Sequence, residues 1–107
     1  MPEEPAQPYR LVFLPAVLQQ LRAMGERAAT PELRQGLAAI LRTVADKLTN
    51  DPVNWGDPFR DLKASGIRLL SRGYSTLHFT YAVDEGKRLV IVNRVTTLSK
   101  SPYAESS

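Results

Sequence analysis

The 107-residue sequence contains no cysteine, a single histidine and a single tryptophan. Without cysteine neither disulfide bonds nor thiolate metal sites can form, and one histidine argues against a structural zinc site. No apolar run approaches the ~20 residues that span a bilayer. The first residues, MPEEPAQP, contain two acids where a secretory signal has basic residues. We therefore expect a cytoplasmic protein with no bound metal and no membrane contact.

The composition is that of a folded chain, with 43% hydrophobic and 23% charged residues. The length provides for one hydrophobic core. Residues 1–8, rich in proline and acid, are expected to be a disordered lead-in. A single domain is then expected over residues 9–103, with a flexible tail at 104–107.

Positive charge is concentrated in the second half of the chain. Residues 1–58 contain six Lys/Arg and seven Asp/Glu, whereas residues 59–100 contain eight and three, a net charge of +5. Such a half is typical of a surface that binds RNA, DNA or an acidic partner, because phosphates and carboxylates attract Lys and Arg. A plain solvated face would show the same imbalance.

The first predicted elements are a strand and two helices. The β-forming run from Tyr9 to Leu14 stops at Pro15, which suits the first turn of a helix. Thr30 and Pro31 predict the N-cap and first turn of a second helix, which should end before Thr49. Both helices have apolar residues at helical spacing: Val17, Leu18, Leu21 and Met24, then Leu33, Leu37, Ile40, Leu41, Val44 and Leu48. They should form an antiparallel hairpin that packs on a sheet.

The rest of the chain predicts a loop and a three-stranded meander. Residues 53–59 contain too many turn formers for a regular element, and their aromatic residues should pin a loop to the core. Three β-type runs follow at 67–72, 76–83 and 88–95, separated by Gly73 and by residues 84–86.

The last hairpin predicts which side chains share a face. A three-residue loop at 84–86 with Gly86 left-handed pairs Val83 with Lys87. The face toward the helices then consists of Leu77, Phe79, Tyr81, Val83, Leu89 and Ile91. The open face consists of Thr76, His78, Thr80, Arg88, Val90, Val92 and Arg94. His78 and Arg94 become diagonal neighbours, about 7 to 8 Å apart at their backbones, and can share a ligand.

Three stretches of the sequence resemble the RelE/ParE toxin superfamily. YRLVFLPAVLQQL resembles its opening strand and helix, LTNDPVNWGDPFRDL the stretch before its meander, and LHFTYAVDEGKRLVIVNRV its central hairpin. The resemblance covers about residues 9–103. It implies an α+β fold in the order β-α-α-β-β-β, with the helix hairpin packed on one face of a small, mostly antiparallel sheet.

The resemblance also implies a function. It indicates the toxin of a type II toxin–antitoxin system, related to plasmid-stabilisation proteins and neutralised by a cognate antitoxin that wraps around it. Two activities are known in the superfamily, cleavage of mRNA in the ribosome and inhibition of DNA gyrase. The first needs no metal or cofactor: a base takes the ribose 2′-OH proton, basic side chains stabilise the phosphate, and an acid protonates the leaving oxygen. We expect this endoribonuclease activity, with inhibition of translation as its effect.

The same resemblance suggests site residues. His78 stands where the family has an arginine, and its imidazole can act as base or acid near neutral pH. Arg72, Arg94 and Tyr103 complete the expected catalytic set, Tyr103 near the position of a C-terminal acid. Contacts to RNA phosphates are expected from Lys63, Arg68, Arg88 and Lys100.

Other interpretations stay open. A lone histidine on a sheet is often merely exposed, and exposed arginines also protect sheets from aggregation. After Val95 the sequence TTLSK lacks the basic cluster of active nucleases. A non-enzymatic gyrase inhibitor and a non-toxic, stand-alone interaction domain of the same fold are therefore the alternatives.

Overall fold

The computed structural model describes residues 8–62, 64–98 and 101–104. The predicted disordered lead-in and tail fall outside them, apart from Pro8 and Ala104. Within the described residues the elements are β1 Arg10–Phe13, α1 Pro15–Arg27, α2 Pro31–Asn50, α3 Pro52–Trp55, β2 Asp57–Leu62, β3 Ile67–Tyr74, β4 Leu77–Asp84 and β5 Leu89–Thr97. The strands form one sheet in the order β1-β5-β4-β3-β2. Only β1 and β5 pair in parallel, so the predicted α+β class with a mostly antiparallel sheet is confirmed.

The second helix begins as predicted and ends later. The Thr30 hydroxyl accepts a hydrogen bond from the Leu33 N–H at 3.1 Å, and Pro31 occupies the first turn. At the far end the Asn50 amide donates to the Asp46 carbonyl at 2.9 Å, and the Asp51 N–H donates to the Lys47 carbonyl. These bonds extend the helix to Asn50, past the predicted end before Thr49. No helix in the described parts of the chain is long and apolar enough to cross a bilayer.

The hydrophobic core lies between the helix hairpin and one face of the sheet. Both predicted helical stripes contribute, and their buried members are Val17, Leu21, Met24, Leu37, Val44 and Leu48. The sheet contributes Leu70, Leu77, Phe79, Tyr81, Val83, Val90, Val92 and Val95, all with no exposed surface. The other face of the sheet is not covered by any helix of the described residues, and we call it the open face.

The segment predicted to be a loop contains a short helix and a strand. Trp55, in α3, is buried with its ring centroid 6.4 Å from that of Tyr74 and 6.2 Å from that of Tyr81. The expected anchoring by aromatic residues is therefore present. β2 follows as an edge strand paired with β3, a place where Pro58 and an irregularity at Phe59 are tolerated. This strand was not predicted because its sequence is rich in turn-forming residues. Such residues are depleted in central strands but are tolerated in edge strands.

The register of the last hairpin differs from the prediction. Asp84 pairs with Leu89 and Val83 with Val90, so the connection is four residues long. Arg88, with φ of 49°, is left-handed, whereas Gly86 is not. The Asp84 carboxylate accepts the Lys87 N–H at 3.1 Å and fixes this turn.

The new register corrects the predicted faces of β5. Val90 and Val92 face the core, and Leu89 and Ile91 lie on the open face, the reverse of the expectation. The alternation predicted for β4 holds. Gly73, expected to separate two strands, lies within β3, and the chain reverses at Ser75, which has φ of 57°.

Candidate nucleic-acid interface

The open face has a polar end on strands β4 and β5. Thr80 pairs with Arg94 and His78 with Thr96, and directly paired residues point to the same face of an antiparallel sheet. Arg94 is exposed, and His78 is half-buried. His78 and Arg94 are thus diagonal neighbours on one face of the sheet. The sequence predicted this adjacency, although through a different register. We call these four residues the polar patch.

A β-bulge at Asn93 places Arg94 in the polar patch. The pairing passes from Tyr81 with Val92 to Thr80 with Arg94 and skips Asn93. Without this extra residue Arg94 would follow Val92 onto the core face. With it, Val92 and Val95 both point into the core while Arg94 points out. Between the buried Val92 and Val95 the sequence has two polar residues, whereas strict alternation allows one. The extra polar residue is the sequence signal for the bulge.

The chemistry of the polar patch suits a phosphodiester. A planar guanidinium binds two phosphate oxygens, and threonine hydroxyls can donate further hydrogen bonds to them. The imidazole of His78 adds ring nitrogens that can donate or accept hydrogen bonds. The threonines were not among the predicted site residues. Their positions follow from alternation once the bulge is known.

Arg72 lies on the opposite face of the sheet from His78. It pairs with the buried Phe79, and its guanidinium donates to the Trp55 carbonyl at 2.6 Å. The same guanidinium lies 5.4 Å from the centroid of the Trp55 ring. Arg72 therefore anchors the α3 segment and does not join His78 and Arg94, although it was expected in the same catalytic set.

Tyr103 lies in the core and not in the polar patch. Only 3% of its surface is exposed, and its hydroxyl donates to the Leu33 carbonyl at 2.5 Å. Arg27 in turn donates to the Tyr103 carbonyl at 3.1 Å. Gly36 leaves room for the phenol, because a Cβ at that position would lie 3.1 Å from the Tyr103 hydroxyl. Tyr103 thus fastens the chain end to the helix hairpin, and an acid at the polar patch must come from elsewhere.

Two of the predicted phosphate-binding residues, Arg68 and Arg88, do not join the polar patch. Arg68 lies with Arg72 on the helix side of the sheet, where its guanidinium is 3.8 Å from the Glu85 carboxylate. Arg88 stacks over the ring of Tyr9 at 4.2 Å. Lys63 and Lys100 lie outside the described residues.

Among the described residues, Tyr81 is the ionisable group with a strongly shifted pKa. Burial raises the pKa of Tyr81 to about 12. Its hydroxyl donates to the Pro52 carbonyl at 2.6 Å, on the core side of β4. Tyr81 therefore stays protonated at neutral pH and faces away from His78, as a core residue should.

Solved structures share this fold. A chain of the toxin–antitoxin complex RelBE2 from Mycobacterium tuberculosis superposes with a TM-score of 0.64 and 21% identity, over 92% of this chain and all of the other. A chain of the archaeal RelE–RelB complex from Pyrococcus horikoshii gives 0.62 and 13%, over 87% and 98%. The isolated Escherichia coli RelE toxin gives 0.52 and 18%, over 87% of each chain. A scan against protein-family models found no match, and neither did a search of curated proteins.

These superpositions show that the chain has the fold of RelE toxins. The likeness to the first of these structures extends over 92% of this chain. The resemblance inferred from the sequence is therefore confirmed for the fold. At identities of 21% and below the chemistry has to be inferred from this chain's own residues.

Proposed function

We propose that this protein is the toxin of a type II toxin–antitoxin pair and a metal-independent endoribonuclease that cleaves mRNA. The supporting observation is the adjacency of His78 and Arg94 on a sheet face that no helix of the described residues covers. The solved relatives named RelBE2 and RelE–RelB are toxin–antitoxin complexes, which supports a cognate antitoxin as partner.

The proposed reaction is an internal transesterification of RNA. The His78 imidazole takes the proton of a ribose 2′-OH, and the 2′-oxygen attacks the adjacent phosphorus. Arg94 stabilises the negative charge of the pentavalent phosphate through its guanidinium. The bond to the 5′-oxygen breaks, leaving a 2′,3′-cyclic phosphate on one fragment and a 5′-hydroxyl on the other. Thr80 and Thr96 hold the phosphate in place.

The leaving 5′-oxygen must obtain its proton from outside the polar patch. Tyr103 and Tyr81 both point into the core, so neither can supply it. Water or a group of the ribosome fills that role. Cleavage should accordingly be slow on free RNA and faster on mRNA held in a ribosome.

Expression in a bacterial host tests the proposal. The wild type, His78→Ala and Arg94→Ala are produced from a tightly repressed promoter, and mRNA ends are mapped by primer extension. Loss of the general base should reduce cleavage about 100-fold or more. Loss of the phosphate-binding guanidinium should reduce it by a similar factor. Arg42→Ala, an exposed arginine of α2, is the matched control and should cleave normally.

Three outcomes would contradict this function. Intact transcripts and normal growth with the wild type would leave a non-toxic interaction domain. Growth arrest with intact transcripts and a loss of gyrase supercoiling by the purified protein would show a gyrase inhibitor. Cleavage that persists in both patch variants would place the site elsewhere.

A further inference from the structure

The second half of β5 has an edge that no strand of the described residues covers. β1 pairs with β5 only from Leu89 to Val92, and the Leu14 N–H donates to the Val92 carbonyl as the last bond of that ladder. β1 ends at Phe13, and helix α1 begins at Pro15. The remaining stretch of β5, residues 93–97, is paired with β4 on one side only.

The register shows which backbone groups that edge presents. Successive residues of a strand turn their N–H and C=O groups to alternate edges. Val92 turns its groups to β1, and the bulge at Asn93 shifts the alternation by one residue. Leu98 donates its N–H to the Thr76 carbonyl at 2.9 Å, which is the β4 side. Val95 and Thr97 consequently present their backbone groups to the uncovered edge.

A cleft of about 300 Å³ runs along this edge. Gln20, Ala23, Met24 and Arg27 of α1 form one wall, and Val95, Thr96 and Thr97 form the other. Met24 and Val95 are buried and provide an apolar floor. Within the described residues, no side chain of α1 hydrogen-bonds to the backbone of β5.

Among the described residues that line the cleft, Arg27 is the charged one. One of its guanidinium nitrogens donates to the Tyr103 carbonyl, and a guanidinium has five N–H donors in all. Arg94 belongs to the neighbouring strand β5, and its side chain lies on the open face. The surroundings of the edge are thus positive, which favours an acidic occupant.

We propose that this cleft binds an extended acidic segment of a partner protein, which adds a short strand to β5. Backbone groups that pair with no described residue select an extended chain, the apolar floor takes alternate side chains, and Arg27 selects carboxylates between them. The free edge of five residues is ~16 Å long, enough for a segment of about five residues. The proposal does not depend on the RNA-cleaving role.

Synthetic peptides test the binding mode. The probe is a seven-residue peptide of alternating glutamate and valine, capped at both ends, added to the isotope-labelled full chain. Amide exchange at Val95 and Thr97 should slow about tenfold or more, because those N–H groups become hydrogen-bonded. The same peptide with lysine in place of glutamate, or with a central proline, should have little effect.

Variants of the cleft provide matched controls. Ala23→Arg fills the cleft and should abolish the protection, whereas Ala39→Arg on the outer surface of α2 should not. Arg27→Gln should weaken binding of the glutamate peptide about tenfold, whereas Arg42→Gln should not. This second pair keeps the test decisive if Ala23→Arg fails to fold.

Several results would overturn the proposal. Equal protection by the glutamate and lysine peptides would remove the charge selection, and protection that survives both cleft variants would place the peptide elsewhere. No protection at any peptide concentration would leave the edge without this partner. Protection of Val95 and Thr97 that rises with protein concentration alone would assign the edge to a second copy of the chain.

Discussion

Replacing Tyr103 by phenylalanine distinguishes a structural tyrosine from a catalytic acid. The substitution removes the hydroxyl that donates to the Leu33 carbonyl at 2.5 Å and leaves the buried ring in place. Loss of one such hydrogen bond should lower the free energy of unfolding by about 1 kcal/mol. Cleavage of mRNA, measured well below the melting temperature, should be unchanged because Tyr103 lies in the core.

Gly36 provides an internal check on that contact. Alanine is favoured over glycine inside a helix by about 1 kcal/mol. In the wild type a Cβ at Gly36 would lie 3.1 Å from the Tyr103 hydroxyl, which opposes that gain. In the Tyr103→Phe background the obstacle is gone. In the Tyr103→Phe background, Gly36→Ala should therefore raise the free energy of unfolding by up to about 1 kcal/mol. In the wild type the same substitution should raise it by clearly less.

Urea unfolding, followed by the fluorescence of Trp55, measures the four free energies of this cycle. Independent effects of the two substitutions would show that the phenol is not packed against Gly36. A loss of cleavage of about 100-fold in Tyr103→Phe, at unchanged stability, would refute the structural role. It would mean that the chain end leaves the core during the reaction.

Three further predictions concern residues next to Trp55 or in contact with it, namely Gly56, Arg72 and Tyr81. In Gly56→Ala the new Cβ would collide with the Tyr81 hydroxyl and lie 3.1 Å from the Ser71 carbonyl oxygen, so urea unfolding should show a loss of about 2 kcal/mol. Arg72→Gln should cost about 1 to 2 kcal/mol by the same measurement, because the bond to the Trp55 carbonyl and the stacking on its ring are lost. The pKa of Tyr81 is about 12 in the folded chain and 10.0 in the unfolded chain. The contribution of Tyr81 to the free energy of unfolding is therefore complete below pH 10 and declines as the pH rises toward 12. The stability of the wild type relative to Tyr81→Phe should fall by up to about 2 to 3 kcal/mol across that interval, and a pH-independent difference would show that Tyr81 is not desolvated.

Local signals in the sequence predicted the helices and the alternation of β4. Thr30 and Pro31 define a helix start through backbone geometry and one side-chain hydrogen bond, both of which depend only on neighbouring residues. The residues from Leu77 to Val83 alternate without interruption, so one face of β4 had to be apolar. These elements need no knowledge of distant parts of the chain.

The failures at the site have two causes, one local turn and two contacts between residues that are distant in the sequence. The register of β5 depends on a four-residue turn closed by the Asp84 carboxylate, whereas the glycine at 86 favoured a shorter loop. The face of Arg72 depends on its pairing with Phe79, and its long side chain reaches the Trp55 carbonyl in α3. Tyr103 was placed by resemblance to a catalytic position, while its burial depends on the space at Gly36.

The bulge at Asn93 connects the two proposed surfaces. It turns Arg94 to the open face beside His78 and returns Val95 to the core, so the polar patch and the end of the core both depend on it. The same extra residue shifts the backbone alternation, so that Val95 and Thr97 present their N–H and C=O groups to the cleft beside α1. A segment bound in that cleft would pair with the residues on either side of Thr96, which belongs to the polar patch. Occupancy of the cleft would therefore constrain the strand that supports the proposed RNA site, even if the bound segment never touches His78.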